Sequence, residues 1–226
     1  MVTTPGVVVQ VRSVGKHLLP YFVSVIVYFW WLQPYGTTPT IPIILRKCAP
    51  IISLMYFIVI VGFKKQSVYP RRIFLGLVAD CIGDMLILWD KLFLLAMLAF
   101  SVGHINYIIA FQLIPLKPRL GLVSFCFGIG AVAHLYPGLA KTFVVGVPIY
   151  CFLMNLMIWR AAARLQTDWT WLQLVTCIGA VLFGLSDFII GTNQFLDPIP
   201  HAQVLIISTY YAAQLGIALS VMEPPY

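Results

Sequence analysis

The chain is written as a succession of long apolar stretches separated by connections of a few residues, and this pattern leaves it few ways to fold. Breaking the runs at clusters of charge, Pro and Gly places spans near residues 18–33, 41–62, 72–89, 92–111, 119–136, 142–159, 169–190 and 202–221. Crossing the hydrocarbon of a bilayer takes about 20 apolar residues, so the length suits about eight crossings. Lipid offers the backbone no hydrogen bonds, which leaves helices or a closed barrel; the runs are continuous rather than alternating, which favours helices. Of the 226 residues, 61% are hydrophobic and 9% charged, against about 25% charged in a soluble domain. The expectation is a single all-α, polytopic integral membrane bundle of about eight transmembrane helices, covering residues 1–226. Arg12 and Lys16 precede the first run, but no small-residue cleavage site follows it, so it is read as a retained span.

A net charge of +7 raises the question of nucleic acid, but the 14 Lys and Arg residues lie mostly at the ends of apolar runs, where they report topology instead. The N-terminal segment and the second, fourth and sixth connections carry ten of them: Arg12, Lys16, Lys64, Lys65, Arg71, Arg72, Lys117, Arg119, Arg160 and Arg164. The alternate connections carry Lys91 and Lys141. Both termini are therefore expected on the cytoplasmic side. Cys48, Cys81, Cys126, Cys151 and Cys177 form an odd set without CxxC spacing, which argues against a disulfide framework or a zinc site. His17, His104, His134 and His201 show no HxxH or HxxxH spacing, so no metal is expected. Trp30, Trp31, Trp89, Trp169 and Trp171 sit near span ends, as an interfacial aromatic belt requires.

The residues that carry chemistry are those that do not belong in lipid. Lys47 lies in the second span, Asp80 and Asp84 in the third, His104, Asn106 and Tyr107 in the fourth, Asn155 in the sixth, Asp187 in the seventh, and Tyr210, Tyr211 and Gln214 in the eighth. Each Asp or Lys at a span centre costs about 2.5 to 3.5 kcal/mol, so the four together cost on the order of 10 kcal/mol unless they face inward and satisfy one another. Asp80 and Asp84 share one helical face, as do His104 and Tyr107. Three carboxyls beside one ammonium predict that at least one carboxyl keeps its proton, an arrangement suited to giving and taking protons. A sodium or proton pathway would use the same residue types. The plain alternatives are that Lys47 snorkels to the interface, and that His104, Asn155, Tyr210, Tyr211 and Gln214 only hydrogen-bond between helices.

Particular words narrow the choice: Lys47-Cys48-Ala49-Pro50, Gly83-Asp84, Gly103-His104 followed by Tyr107, Leu185-Ser186-Asp187, Pro200-His201-Ala202 and Thr209-Tyr210-Tyr211-Ala212-Ala213-Gln214. Together, in order and over nearly the whole chain, they resemble the lysoplasmalogenase family, also called the YhhN-like or transmembrane protein 86 family. The resemblance implies an eight-span hydrolase of the endoplasmic reticulum membrane, without cofactor, that cleaves the vinyl ether bond of a lysophospholipid. Its pattern falls on Asp84, Asp187, His104 and Tyr107 as catalytic candidates and on Lys47, Tyr210, Tyr211 and Gln214 as substrate-binding candidates, to which Asn155 is added. Asp80 departs from the pattern, which makes its partnership with Asp84 incidental to catalysis on this reading. The rival is a small ion-coupled transporter, disfavoured because no inverted repeat and no matching pair of broken spans is found. A receptor or scaffold would present a larger soluble face than these connections provide.

Overall fold

Satisfying the backbone inside a bilayer makes helices of nearly everything here. The computed structural model describes residues 5–32, 38–65, 67–165 and 170–223, with side chains from Gly15 onward and without that of Lys65. Pro34, Asp168 and Trp169, and the side chains of Arg12 and Lys65, lie outside the described residues. The helices are α1 (Pro5–Trp30), α2 (Ile41–Val61), α3 (Val68–Leu86), α4 (Phe93–Phe111), α5 (Pro118–Leu135), α6 (Phe143–Ala163), α7 (Trp171–Phe195) and α8 (Ala202–Leu219). Six of them, α2 and α4 to α8, are long and apolar enough to cross a membrane. Helix α3 is less apolar because it carries Arg71, Arg72, Asp80 and Asp84. The protein is a polytopic, all-helical membrane bundle.

Local chemistry sets the ends. Pro near the first turn opens α2 and α5, where a missing N–H costs nothing. Ser67 caps α3 by accepting from Tyr69 N at 3.3 Å. Thr170 and Gln173 close a capping box on α7, at 3.2 and 3.1 Å. Two helices run past their expected ends. Helix α6 continues beyond residue 159 because Arg160 is fully buried within the protein rather than at a lipid surface. Its guanidinium donates to the carbonyls of Gln112 at 2.6 Å, Pro115 at 2.9 Å and Leu116 at 3.4 Å, groups past the end of α4 with no helical partner of their own. Helix α7 continues beyond residue 190, with Thr192 returning its hydroxyl to the Phe188 carbonyl at 2.9 Å. Helix α1 starts at Pro5, well before the apolar run, since helical backbone bonds do not require apolar side chains.

The tightest pairs are α3 with α4 and α7 with α8. Small residues permit both. A Cβ at Gly103 would strike the Asp80 carboxylate and lie 3.3 Å from the Gly76 carbonyl, one at Gly76 would enter the Tyr107 ring, and one at Gly83 would come within 2.8 Å of Phe100. Across α7 and α8, a Cβ at Gly179 would stand 2.8 Å from the Ala213 carbonyl, and one at Gly216 2.7 Å from that of Val175. Helix α5 is peripheral, packed on α6 and touching α7 lightly. One end of the bundle, here the basic end, gathers Lys64, Arg71, Arg72, Lys117, Arg119, Arg160 and Arg164. The far end holds the C-terminus of α1, the N-terminus of α2 and the α3–α4, α5–α6 and α7–α8 connections, with Trp30, Trp31 and Trp89 exposed near it.

Gly179→Val puts a branched side chain against backbone that has no room to move, an overpacking cost of about 1–3 kcal/mol, or a Tm lowered by about 3–10 °C in detergent. Gly15→Ala, at a position with nothing within 4 Å, leaves the Tm unchanged. Differential scanning fluorimetry of the two variants checks both outcomes.

Candidate functional site

Each of the three carboxyls carried within α3 and α7 is met by a tyrosine hydroxyl from another helix. Asp80, on α3, is fully buried; its Oδ2 accepts from Tyr107 of α4 at 2.6 Å and from Gln214 Nε2 of α8 at 2.6 Å. Its Oδ1 has no hydrogen-bond partner and is pressed toward Gly103. Asp84, one turn on, lies 3.7 Å from Lys47 Nζ of α2 through Oδ1, and its Oδ2 accepts from Tyr210 of α8 at 2.7 Å. Asp187, on α7, accepts from Tyr150 of α6. Tyr150 Oη lies 3.1 Å from His104 Nε2, and His104 Nε2 is 4.0 Å from Asp187 Oδ2. Because the Tyr150 hydroxyl donates to Asp187, its oxygen accepts from Nε2–H of His104, which leaves the buried and unpartnered Nδ1 as the bare nitrogen of a neutral ring.

The shared faces expected from spacing therefore diverge. Tyr107 turns to Asp80 while His104, three residues earlier on α4, turns to Asp187. Asp80, set apart by the family pattern, is the most deeply enclosed of the three carboxyls. Phe183 and Phe100 stand between the Asp84 and Asp187 halves: the Phe183 ring is 4.9 Å from His104 and 5.4 Å from Tyr210, and Phe100 is 6.2 Å from Tyr210.

The remaining candidates have interhelical partners. Tyr211 donates to the Lys47 carbonyl at 2.9 Å, in the stretch of α2 where Pro50 interrupts the hydrogen-bond ladder, and its ring meets Tyr28 edge-on at 5.5 Å. Asn155 donates to the Cys151 carbonyl at 2.8 Å and receives Ser124 of α5. Asn106 accepts from Arg72 at 3.3 Å near the basic end. Among the described residues, no group of three His, Cys, Asp or Glu side chains is placed to hold a metal ion.

Two cavities flank the cluster in the half of the bundle next to the far end. The first, about 500 Å³, is apolar and lies among α4, α5, α6 and α7; Asp187, Tyr150 and Asn155 are the polar side chains on its wall. The second, about 780 Å³, opens at the far end and is lined by Arg46, Lys47, Asp90, Lys91, Asn193, Gln194 and Gln203 among apolar neighbours. Ile87, Phe93 and Ile190 belong to both walls. Sequence reasoning missed Tyr150, Arg46 and the glutamines and asparagine of the second cavity. Tyr150 carried one usable signal, a tyrosine in mid-span rather than at the aromatic belt.

Comparison with known proteins places this arrangement. The chain is similar to lysoplasmalogenase TMEM86A of Bos taurus, 39% identical over 224 residues, 96% of this chain and 92% of the relative. It is 38% identical to lysoplasmalogenase TMEM86A of Homo sapiens over 96% of this chain and 92% of the relative, and 34% identical to lysoplasmalogenase TMEM86B of Sus scrofa over 96% and 91%. No solved structure matches. The profile of the YhhN family matches residues 42–221, from the first turn of α2, through every carboxyl, tyrosine and histidine of the cluster, to the turn that follows α8, and the chain belongs to that family.

Proposed function

We propose that this protein is a lysoplasmalogenase: it hydrolyses the vinyl ether of lysoplasmalogens to a fatty aldehyde and glycerophosphoethanolamine or glycerophosphocholine. The observation that carries the reading is Asp187, held by Tyr150 at the wall of an apolar cavity that adjoins a polar one bearing Arg46, Lys47 and Lys91. A lysolipid has the same division, one hydrocarbon chain and one phosphate-bearing head, with the vinyl ether at the join. The names of the relatives agree with it. The basic end faces the cytoplasm by charge asymmetry, and residence in the endoplasmic reticulum rests on the family resemblance.

In this reading Asp187 is the general acid and Asp84 the counter-anion. Asp84 has the Lys47 ammonium beside it, which favours a carboxylate; Asp187 has a phenol and a neutral imidazole, which leave it free to carry a proton. Asp187 gives its proton to the β-carbon of the vinyl ether, whose π electrons form the new C–H bond, and an oxocarbenium ion remains on the α-carbon and oxygen. That cation is steadied by the ring of Phe100 on the cavity wall and by the negative charge of Asp84, which lies outside the lining, beyond the Tyr210 ring that meets Phe100. Water adds to the α-carbon, Asp187 takes back a proton, and the hemiacetal collapses to aldehyde and alcohol. Tyr150 and His104 hold the acid in place, as flanking groups do for the paired carboxylates of glycosidases. Tyr107 and Gln214 fix Asp80, Tyr210 fixes Asp84, and Tyr211 fixes the Lys47 backbone, so these side chains complete the frame around the reacting groups. Arg46, Lys47 and Lys91 receive the phosphate.

Purified protein incubated with a lysoplasmalogen and with its saturated ether analogue tests the reaction: aldehyde from the first and none from the second is expected, while uptake into vesicles without aldehyde would point to a carrier. Asp187→Asn and Asp84→Asn each lower kcat at least about a hundredfold while the protein elutes from a sizing column unchanged. Near-normal turnover in either variant contradicts the mechanism. Tyr150→Phe lowers kcat about tenfold with KM held, the mark of a positioning residue. Lys91→Ala and Arg46→Ala do the reverse, raising KM about tenfold at nearly constant kcat, and a phosphate-free substrate analogue abolishes the difference between them and the parent protein.

A further inference from the structure

Building on the proposed hydrolysis, we infer that the gap between α5 and α7 is a lateral hydrocarbon passage, by which the substrate's chain reaches Asp187 from the bilayer and the fatty aldehyde leaves. Several residues lining the apolar cavity also face outward. Phe127 is 76% exposed, Val181 50% and Leu185 45%, and Cys126 and Gly130 are exposed as well. A wall residue exposed on the outer surface of a bundle means that the cavity opens there. The opening falls where the packing is thin: α5 rests on α6 and touches α7 lightly.

The glycines on the wall locate the mouth. A Cβ at Gly128 would collide with Asn155, one at Gly184 would come within 2.8 Å of Ile158, and one at Gly191 within 2.9 Å of Leu135. A Cβ at Gly130 meets nothing within 4 Å. Gly130 therefore stands on the threshold, and the other three are set into the wall. The cavity residues of α5 and α7 belong mostly to the C-terminal halves of those helices, those of α4 to its N-terminal half, and those of α6 to its middle, so the mouth faces the leaflet next to the far end. The occupant is a single hydrocarbon chain, because the wall is apolar, the space outside is lipid, and the polar side chains Asp187 and Tyr150 lie within. The aldehyde product, stripped of its phosphate-bearing head, has no charged group to draw it out through the cation-lined cavity, and the lateral mouth is its route.

The test compares a hexadecenyl and a butenyl lysoplasmalogen, the second soluble enough to need no lipid route. Gly130→Trp lowers kcat/KM for the long chain about tenfold more than for the short one. Leu122→Trp, on the same helix but facing lipid away from the cavity, leaves their ratio unchanged. Equal loss on both substrates, or loss on neither, overturns the passage. A second measurement needs no turnover: a saturated ether lysolipid, which fills the cavity without reacting, protects Cys126 from N-dodecylmaleimide, read by peptide mass. Full labelling of Cys126 at saturating lysolipid also overturns it. A parent protein that yields no aldehyde from either substrate, but whose Cys126 is protected, refutes the proposed hydrolysis and leaves the passage standing.

Discussion

The structure depends on the hydrogen bond between a buried carboxyl and a tyrosine from a different helix. Among the described residues it occurs three times: Asp80 with Tyr107, Asp84 with Tyr210, and Asp187 with Tyr150. A carboxyl in an apolar interior is tolerable only when its lone pairs are met, and each phenol does this while burying a large apolar ring. The three pairs tie α3 to α4, α3 to α8 and α6 to α7, so the groups that would be most costly in lipid also fix how the helices stand against one another. Because polar contacts between membrane helices are worth only about 1 kcal/mol each, close packing must do the rest. The glycines at the α3–α4 and α7–α8 crossings bring the backbones near enough for the phenols to reach.

How much of this was legible beforehand follows from how local each signal is. An apolar run is local, and all eight helices coincide with runs visible in the sequence, with ends displaced by a few residues except in α1. Lys47, Asp84 and Asp187 stood out because a charge inside such a run is conspicuous by its cost. What pairs with what was not legible. The partners are 27, 126 and 37 residues apart for the three aspartates, and no spacing rule reaches across separate helices. The helical rule that put Asp80 with Asp84, and His104 with Tyr107, described single helices correctly and their partners not at all. Tyr150 was overlooked because a tyrosine in an apolar run passes for filler. Arg160 misled in the opposite sense, since a charge that ended an apparent span turned out to cap a neighbouring connection from within the bundle.

Asp80 shows the limit of reading importance from a family pattern. It holds two hydrogen bonds from two helices and leaves one oxygen without a partner, at a spot where glycine alone fits beside it. Such a group organises the bundle core whether or not it touches substrate. Its neighbour one turn away then inherits a fixed position, with Lys47 on one oxygen and Tyr210 on the other. The chemistry proposed for Asp84 rests on that inheritance.

The wall shared by the two cavities, Ile87, Phe93 and Ile190, has a consequence of its own. A molecule lying across both cavities must cross at these three side chains, with its anion among the cations on one side and its chain on the other. In the proposed reaction the glycerol between phosphate and ether oxygen has a set length, so the wall would work as a ruler that counts bonds from the phosphate. What it measures is the position of the cleavable bond, and the number of carbons beyond that bond never enters the count.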